Sequence, residues 1–306
     1  MRNTVINQLF EYTSKNPNVY LLTGDLWYSV VDEFALKLPN QFINVWIAEQ
    51  NMIGIAVGLA LTWKKVFCFS IIPFVTMRCY EQIRVDVCYQ NVDVNLIWVW
   101  WWFAYGTAWS THYGIEDINV MRWLPNMKIL APADKIEAKK CMKYILDNKG
   151  PFYMRLNKWG ETDIHIDDLT EKDISKPIEV QPGTEILIIV TGNILQSAKI
   201  IVENLKENWI SVQLLSIPMI KPIGSKYILE CVKWKKAVFT IEEHTIIGWL
   251  GSTIAEILAE NKIGITFKRF GINDSFPVLV GDQEYMRDQN GLDKNIIIDN
   301  ILKITK

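Results

Sequence analysis

Between residues 19 and 156, short β-branched and apolar runs alternate with helix-patterned segments, and this alternation leaves few architectures open. VYLLTG (19–24), FINV (42–45), KVFCFS (65–70), VNLIWV (94–99), MKIL (127–130) and PFYMRL (151–156) read as strands. Helical patterns occupy 28–38, 49–61, a stretch from Pro73 through Arg84 and Asp86, and a stretch from Asp134 to about Asp147. Proline suits a first helical turn, and Asp134 with Glu137 makes a start like a capping box. Residues 161–183 are polar, carry Pro and Gly, and break the rhythm, so they are expected to be a linker. A second unit follows, with strands at 185–192, 212–217 and 236–243 and helices at 198–207, 226–232 and 252–260. Strands separated by helices imply a mostly parallel sheet covered on both faces. The predicted fold is α/β, two tandem doubly wound domains over 1–160 and 184–306, and 306 residues suffice for two cores.

Composition removes several function classes. A formal charge of −2 and the lack of a Lys/Arg stripe give no reason to expect a nucleic-acid partner. The first 18 residues hold no apolar signal core, and the apolar run at 94–109 is shorter than the roughly 20 residues of a membrane helix. Five cysteines without a CxxC pair read as reduced, buried thiols of a cytoplasmic protein. No GxGxxG follows a strand, which argues against a dinucleotide-binding domain.

Five motifs carry more: LLTGDL (21–26), IAEQNMIGIAVGLAL (47–61), YEQIRVDVCYQN (80–91), AYGTAWSTHYGIEDINVMRWLPNMKILAPAD (104–134) and IEEHTIIGWLGSTIAEIL (241–258). In this order they resemble the second half of transketolases, particularly the type divided between two genes, over nearly the whole chain. The resemblance implies a thiamine-diphosphate-binding pyrimidine domain followed by a transketolase C-terminal domain, in an enzyme that transfers a two-carbon ketol unit between sugar phosphates. The family holds the diphosphate and Mg²⁺ through a GDG motif and an Asn of an N-terminal domain. No GDG occurs here, so a separate N-terminal subunit and a dimer of heterodimers are implied. The rivals are the beta subunit of a 2-oxo-acid dehydrogenase, half of a 1-deoxyxylulose-5-phosphate synthase, and a non-catalytic module on the same fold.

Glu49, in IAEQN, matches the family's catalytic glutamate, which hydrogen-bonds a ring nitrogen of the aminopyrimidine and favours the tautomer that activates the cofactor. In a mainly apolar pocket such a carboxyl would exchange a proton with a weak base near neutral pH. Read without the motif, Glu49 is an acid complementing a helix dipole. Phe74 matches the aromatic that stacks on the pyrimidine, and Ile72 stands where relatives often carry a second aromatic. His112 matches a histidine that contacts substrate, and the residue type suits proton work near pH 7. Lys158 aligns with a phosphate-binding arginine, and Arg155 lies three residues before it. Asp25 and Ser29 match positions near the thiazolium and substrate. His165 is expected to be solvated, and His244 is assigned no chemistry. Ala108 and Trp100 replace substrate-reading side chains of the longer enzymes, so donor stereochemistry does not carry over.

The thirteen tryptophans fall mostly where relatives have glycine. TGDLWYS would be TGDLGYS, VWIAEQN would be VGIAEQN, LTWKK would be LTGKK, and Trp209 and Trp234 follow turn-like runs. Glycine permits positive φ and close backbone approach, which tryptophan does not. These positions therefore read as UGA codons that the organism decodes as glycine; restoring them brings glycine to roughly 9% of the chain, near ordinary usage. The opposing reading, an aromatic surface for stacking sugars, requires exposed rings.

Overall fold

The computed structural model describes residues 1–25, 30–99, 103, 111–112, 114–157, 162–165, 169 and 173–305, with the side chains of 98 and 99 left aside. Twelve strands form two sheets among these residues. The first runs in the order β10-β5-β6-β4-β3-β1-β2: β1 Val19–Thr23, β2 Phe42–Asn44, β3 Lys65–Ile71, β4 Val94–Val99, β5 Lys128–Leu130, β6 Phe152–Arg155 and β10 Met219–Lys221. All its pairings are parallel except that of β10 with β5. The second runs β12-β11-β8-β9-β7: β7 Ile178–Gln181, β8 Ile186–Val190, β9 Val212–Ser216, β11 Ala237–Thr245 and β12 Thr266–Ile272, with β7 alone antiparallel.

The strands carry apolar side chains on both faces because both faces are covered. Leu21, Phe67, Phe69, Ile97, Phe152 and Met154 point to a core closed by the helices Arg2–Thr13 and Lys135–Asp147. Their strand neighbours Leu22, Val66, Cys68, Leu96 and Tyr153 point the other way, in the period of two that a pleated strand imposes. There they meet the helices Glu49–Leu61 and Asp117–Arg122. This second core continues without a break into the C-terminal half through Ile186, Leu214, Phe239 and Trp249.

Within 161–183, read as a linker, Ile178–Gln181 form β7, and Asp134 accepts from the backbone N–H groups of Ile164 and His165 at 3.0 Å each. The helix expected from Pro73 divides at 77–79 into Ile72–Thr76 and Tyr80–Gln82, which widens into a π-helical stretch, Ile83–Tyr89. Asp134 caps its helix as expected, accepting from Ile136 and Glu137 N–H. No helix among the described residues is long and apolar enough to cross a membrane, and all five cysteines are free.

Candidate active site

The chain's candidate residues gather where α/β sheets place ligands, beyond the carboxyl ends of the strands. β1 delivers Gly24 and Asp25, β2 leads to Glu49 as the first residue of its helix, β3 leads to Ile72 and Phe74, and the segment after β4 brings His112. Asn44 organises the first turn. Its Oδ1 accepts from the backbone N–H of Asp25 at 3.1 Å and of Trp46 at 2.9 Å, and its Nδ2 donates to Asp25 Oδ1 at 3.1 Å. Asp25 and Trp46 both sit at φ 59°, the left-handed region. The position of Trp46 therefore has the backbone that glycine takes most readily.

Glu49 is 1% exposed. Oε2 accepts from Arg78 Nη1 at 2.8 Å, and Oε1 accepts from Ser70 Oγ at a long 3.5 Å. The expected apolar setting is thus corrected: a half-exposed arginine reaches in to the buried carboxylate, an ion pair that offsets part of its desolvation. The same guanidinium lies over the Phe74 ring, 4.7 Å from Cζ to centroid, and Gln50 Nε2 donates to the Arg78 carbonyl at 3.0 Å. Phe74 and His112 meet edge to face with centroids 5.5 Å apart, and His112 Nδ1 lies 2.9 Å from Thr111 Oγ1. Glu49, Phe74, Arg78 and His112 are therefore one site. A buried carboxylate oxygen with one weak partner beside an aromatic face fits a flat heteroaromatic ring that hydrogen-bonds at its edge.

Other candidates go elsewhere. Ile72 is fully buried, and a Cβ on Gly114 would stand 2.7 Å from its Cγ2, so it packs against Gly114. Arg155 is corrected from a substrate contact to a buried anchor. It is 0% exposed, its Nη2 is 3.1 Å from Asp117 Oδ1 and donates to the Gly114 carbonyl at 3.1 Å, and its guanidinium lies 5.6 Å from the Trp249 ring. Tyr153 hydroxyl donates to Asp117 in the same cluster. His244 lies against Trp249 with ring centroids 4.5 Å apart and planes tilted by 48°, and burial, then the Arg155 charge, push its imidazole well towards the neutral form. Ser29 and Lys158, together with Trp100 and Ala108, lie outside the described residues.

His165 is not solvated. It is 9% exposed, with Nδ1 2.8 Å from Asp134 Oδ2 and Nε2 3.6 Å from Glu137 Oε1, which also accepts from Ser216 Oγ of β9 at 2.6 Å. Burial pushes the Glu137 carboxyl up to about 7. At Asp134 burial is the largest single influence and acts upward too, but the hydrogen bonds from His165 and from the Glu137 backbone, with the His165 charge, together outweigh it and bring the carboxyl to about 2. The cluster joins the two domains. Among the described residues, no group of three or more His, Cys, Asp or Glu is placed to hold a metal ion.

Six of the tryptophans have described side chains. Trp46, Trp63, Trp123, Trp209 and Trp234 are exposed, as the aromatic-surface reading requires, and Trp249 is fully buried. Four of the exposed five follow a helix directly or after its cap residue, in both domains, which is a pattern of helix ends and not of one surface. Trp46, Trp63 and Trp209 have φ of 59°, 66° and 63°. Backbone conformation thus favours the glycine reading at these three.

Comparison with known proteins places this geometry in context. Residues 1–159 match the transketolase pyrimidine-binding domain, and residues 176–296 match the transketolase C-terminal domain. The chain is 36% identical over 272 residues to a subunit of the apulose-4-phosphate transketolase of Actinobacillus succinogenes, covering 89% of this chain and 87% of that one. It is 36% identical over 309 residues to a putative transketolase C-terminal section of Methanocaldococcus jannaschii, covering 100% and 96%. A solved structure described as a split-gene transketolase, inactive beta4 tetramer, superposes with a TM-score of 0.89 at 28% identity over 100% of this chain and 99% of that chain.

Proposed function

Because the chain belongs to the transketolase family, with its pyrimidine-binding domain at residues 1–159 and its C-terminal domain at 176–296, we propose that it is one subunit of a split, thiamine-diphosphate-dependent transketolase. It moves a two-carbon ketol unit from a ketose phosphate to an aldose phosphate, with the active site completed by a separate N-terminal subunit. The observation that carries this reading is the buried Glu49 carboxylate beside Phe74 and His112, at the sheet's carboxyl edge. Relatives named as a transketolase subunit or as a C-terminal section, matched over nearly their full length, support a divided enzyme. So does the inactivity of a tetramer made of one kind of chain.

In this role Glu49 Oε1 holds or releases a proton at a ring nitrogen of the cofactor's aminopyrimidine, and its burial keeps water from that proton. Phe74 supplies the face on which the ring stacks. Asp25, fixed by Asn44, and Ser29 border the reacting end. His112 exchanges protons with substrate oxygens, its ring steadied against Phe74 and Thr111. Lys158 meets the substrate phosphate as a point charge. Thiamine diphosphate, when bound, supplies carbanion stabilisation. Its diphosphate and Mg²⁺ belong to the N-terminal subunit, in a dimer of heterodimers. The test is ketol transfer with thiamine diphosphate and Mg²⁺ after co-expression with the candidate N-terminal subunit. Glu49→Gln is expected to lower kcat at least 100-fold, since general acid–base groups contribute on the order of 10²–10⁴-fold. Undiminished turnover, or full activity without the N-terminal subunit, refutes the proposal.

A further inference from the structure

Arg78 takes the Phe74 face and one of the two Glu49 carboxylate oxygens, leaving Oε1 with only its long contact from Ser70 Oγ. Nη1 is 2.8 Å from Glu49 Oε2, and Cζ is 4.7 Å from the Phe74 ring centroid. A guanidinium is flat, carries several N–H donors, pairs with carboxylates and stacks on aromatic faces. An aminopyrimidine offers the same flat shape and edge donors, so the two compete for one seat. Resting on the function proposed above, we infer that Arg78 is an internal competitor: it occupies the pyrimidine seat and must swing out before a ring can enter, so that only a ligand offering both the stack and the carboxylate contact displaces it. The backbone favours such a swing. Arg78 lies in the 77–79 turn between two helical segments, its carbonyl is held by Gln50 Nε2, and its side chain is 45% exposed. Movement therefore needs rotamer changes alone, with an open route to solvent.

The test uses the full chain and the aminopyrimidine half of the cofactor, 4-amino-5-hydroxymethyl-2-methylpyrimidine, titrated by NMR. Arg78→Met keeps an apolar stem and removes both competing contacts. It is expected to tighten binding about five- to tenfold, the scale of one half-screened ion pair plus one cation–π contact. Arg78→Gln, more conservative for folding, should move the same way by less. Adding Glu49→Gln to Arg78→Met should cancel the gain. If wild type binds and Arg78→Met binds equally or more weakly, Arg78 positions the ring and the competitor inference is overturned while the site reading stands. If neither binds, both fall.

Discussion

Replacing Trp63 and Trp209 by glycine is expected to make this protein more stable, and the helix ends they occupy set the size of the gain. Trp63 follows the helix Glu49–Leu61 and its cap Thr62; its N–H donates to the Ala60 carbonyl at 3.0 Å, and Lys64 N–H donates to Leu59 at 3.3 Å. Trp209 repeats the arrangement after Leu195–Glu207, with bonds to Lys206 at 3.0 Å and from Ile210 to Leu205 at 3.1 Å. This paired hydrogen-bond pattern places its central residue in the left-handed region, where glycine is strongly preferred. An L side chain there costs roughly 1–2 kcal/mol. Glycine's greater freedom in the unfolded chain takes back about 0.4–1 kcal/mol. Both indoles are nearly fully exposed, 87% and 94%, so little packing is lost. The net gain is about 0.5–1 kcal/mol per site, and the sites lie in different domains, so about 1–2 kcal/mol is expected for the pair. Urea midpoints of the two variants and the double variant measure it. Trp234→Gly is the control: it is 87% exposed and follows the helix Ser225–Val232, but is not among the residues with positive φ. Lys262, in the same hydrogen-bond pattern at φ 56°, should gain like the two tryptophans. If Trp63→Gly and Trp209→Gly lose stability as Trp234→Gly does, the argument from backbone strain fails. Peptide sequencing of protein from its own cells should read glycine at both positions; tryptophan there ends the recoding reading.

Two further perturbations probe the buried acids. Burial pushes the Glu242 carboxyl up to about 8 from its ordinary 4.5, even though Gly251 N–H donates to it. A raised folded value means stability is fully present below about 4.5 and is lost as pH rises through about 8. Wild type should therefore weaken from pH 5 to 8 by on the order of 3–5 kcal/mol, and Glu242→Gln should flatten that slope in denaturation curves across this range. A slope equal to wild type counts against the assignment. Asp134→Ala removes a helix cap and the partner of His165 Nδ1 together, and should cost about 2–4 kcal/mol by urea unfolding. A loss under about 1 kcal/mol would mean that the buried cluster is not holding the domains.

The parallel sheet was legible because its strands are long apolar runs separated by helix-length patterns, and the helix Glu49–Leu61 has the predicted bounds. What escaped was local signal too short to stand out. β10 is three residues, MIK, that matter only because they reach β5, and β7 lies in polar sequence. The site followed the same division. Glu49 and His112 sit in motifs, Phe74 follows the proline that opens a helical pattern, and the three come together, whereas the part played by Arg78 depends on a turn placing it over Phe74. Arg155 misled because it stands three residues before Lys158, the match to a phosphate-binding arginine; its partner Asp117 lies 38 residues away in sequence. His165 misled for the opposite reason, since its place in the expected linker suggested water while Asp134 draws it inside.

The pairing of Met219 with Leu130 and of Lys221 with Ile129 makes the outermost strand of the first sheet a loan from the second half. Cutting the gene near residue 160 would strip that border away and leave β5 with a bare row of amide and carbonyl groups, an invitation to edge-to-edge aggregation. Carrying both halves on one polypeptide keeps that border permanently at hand, whereas separately made halves would have to find each other before the edge is covered.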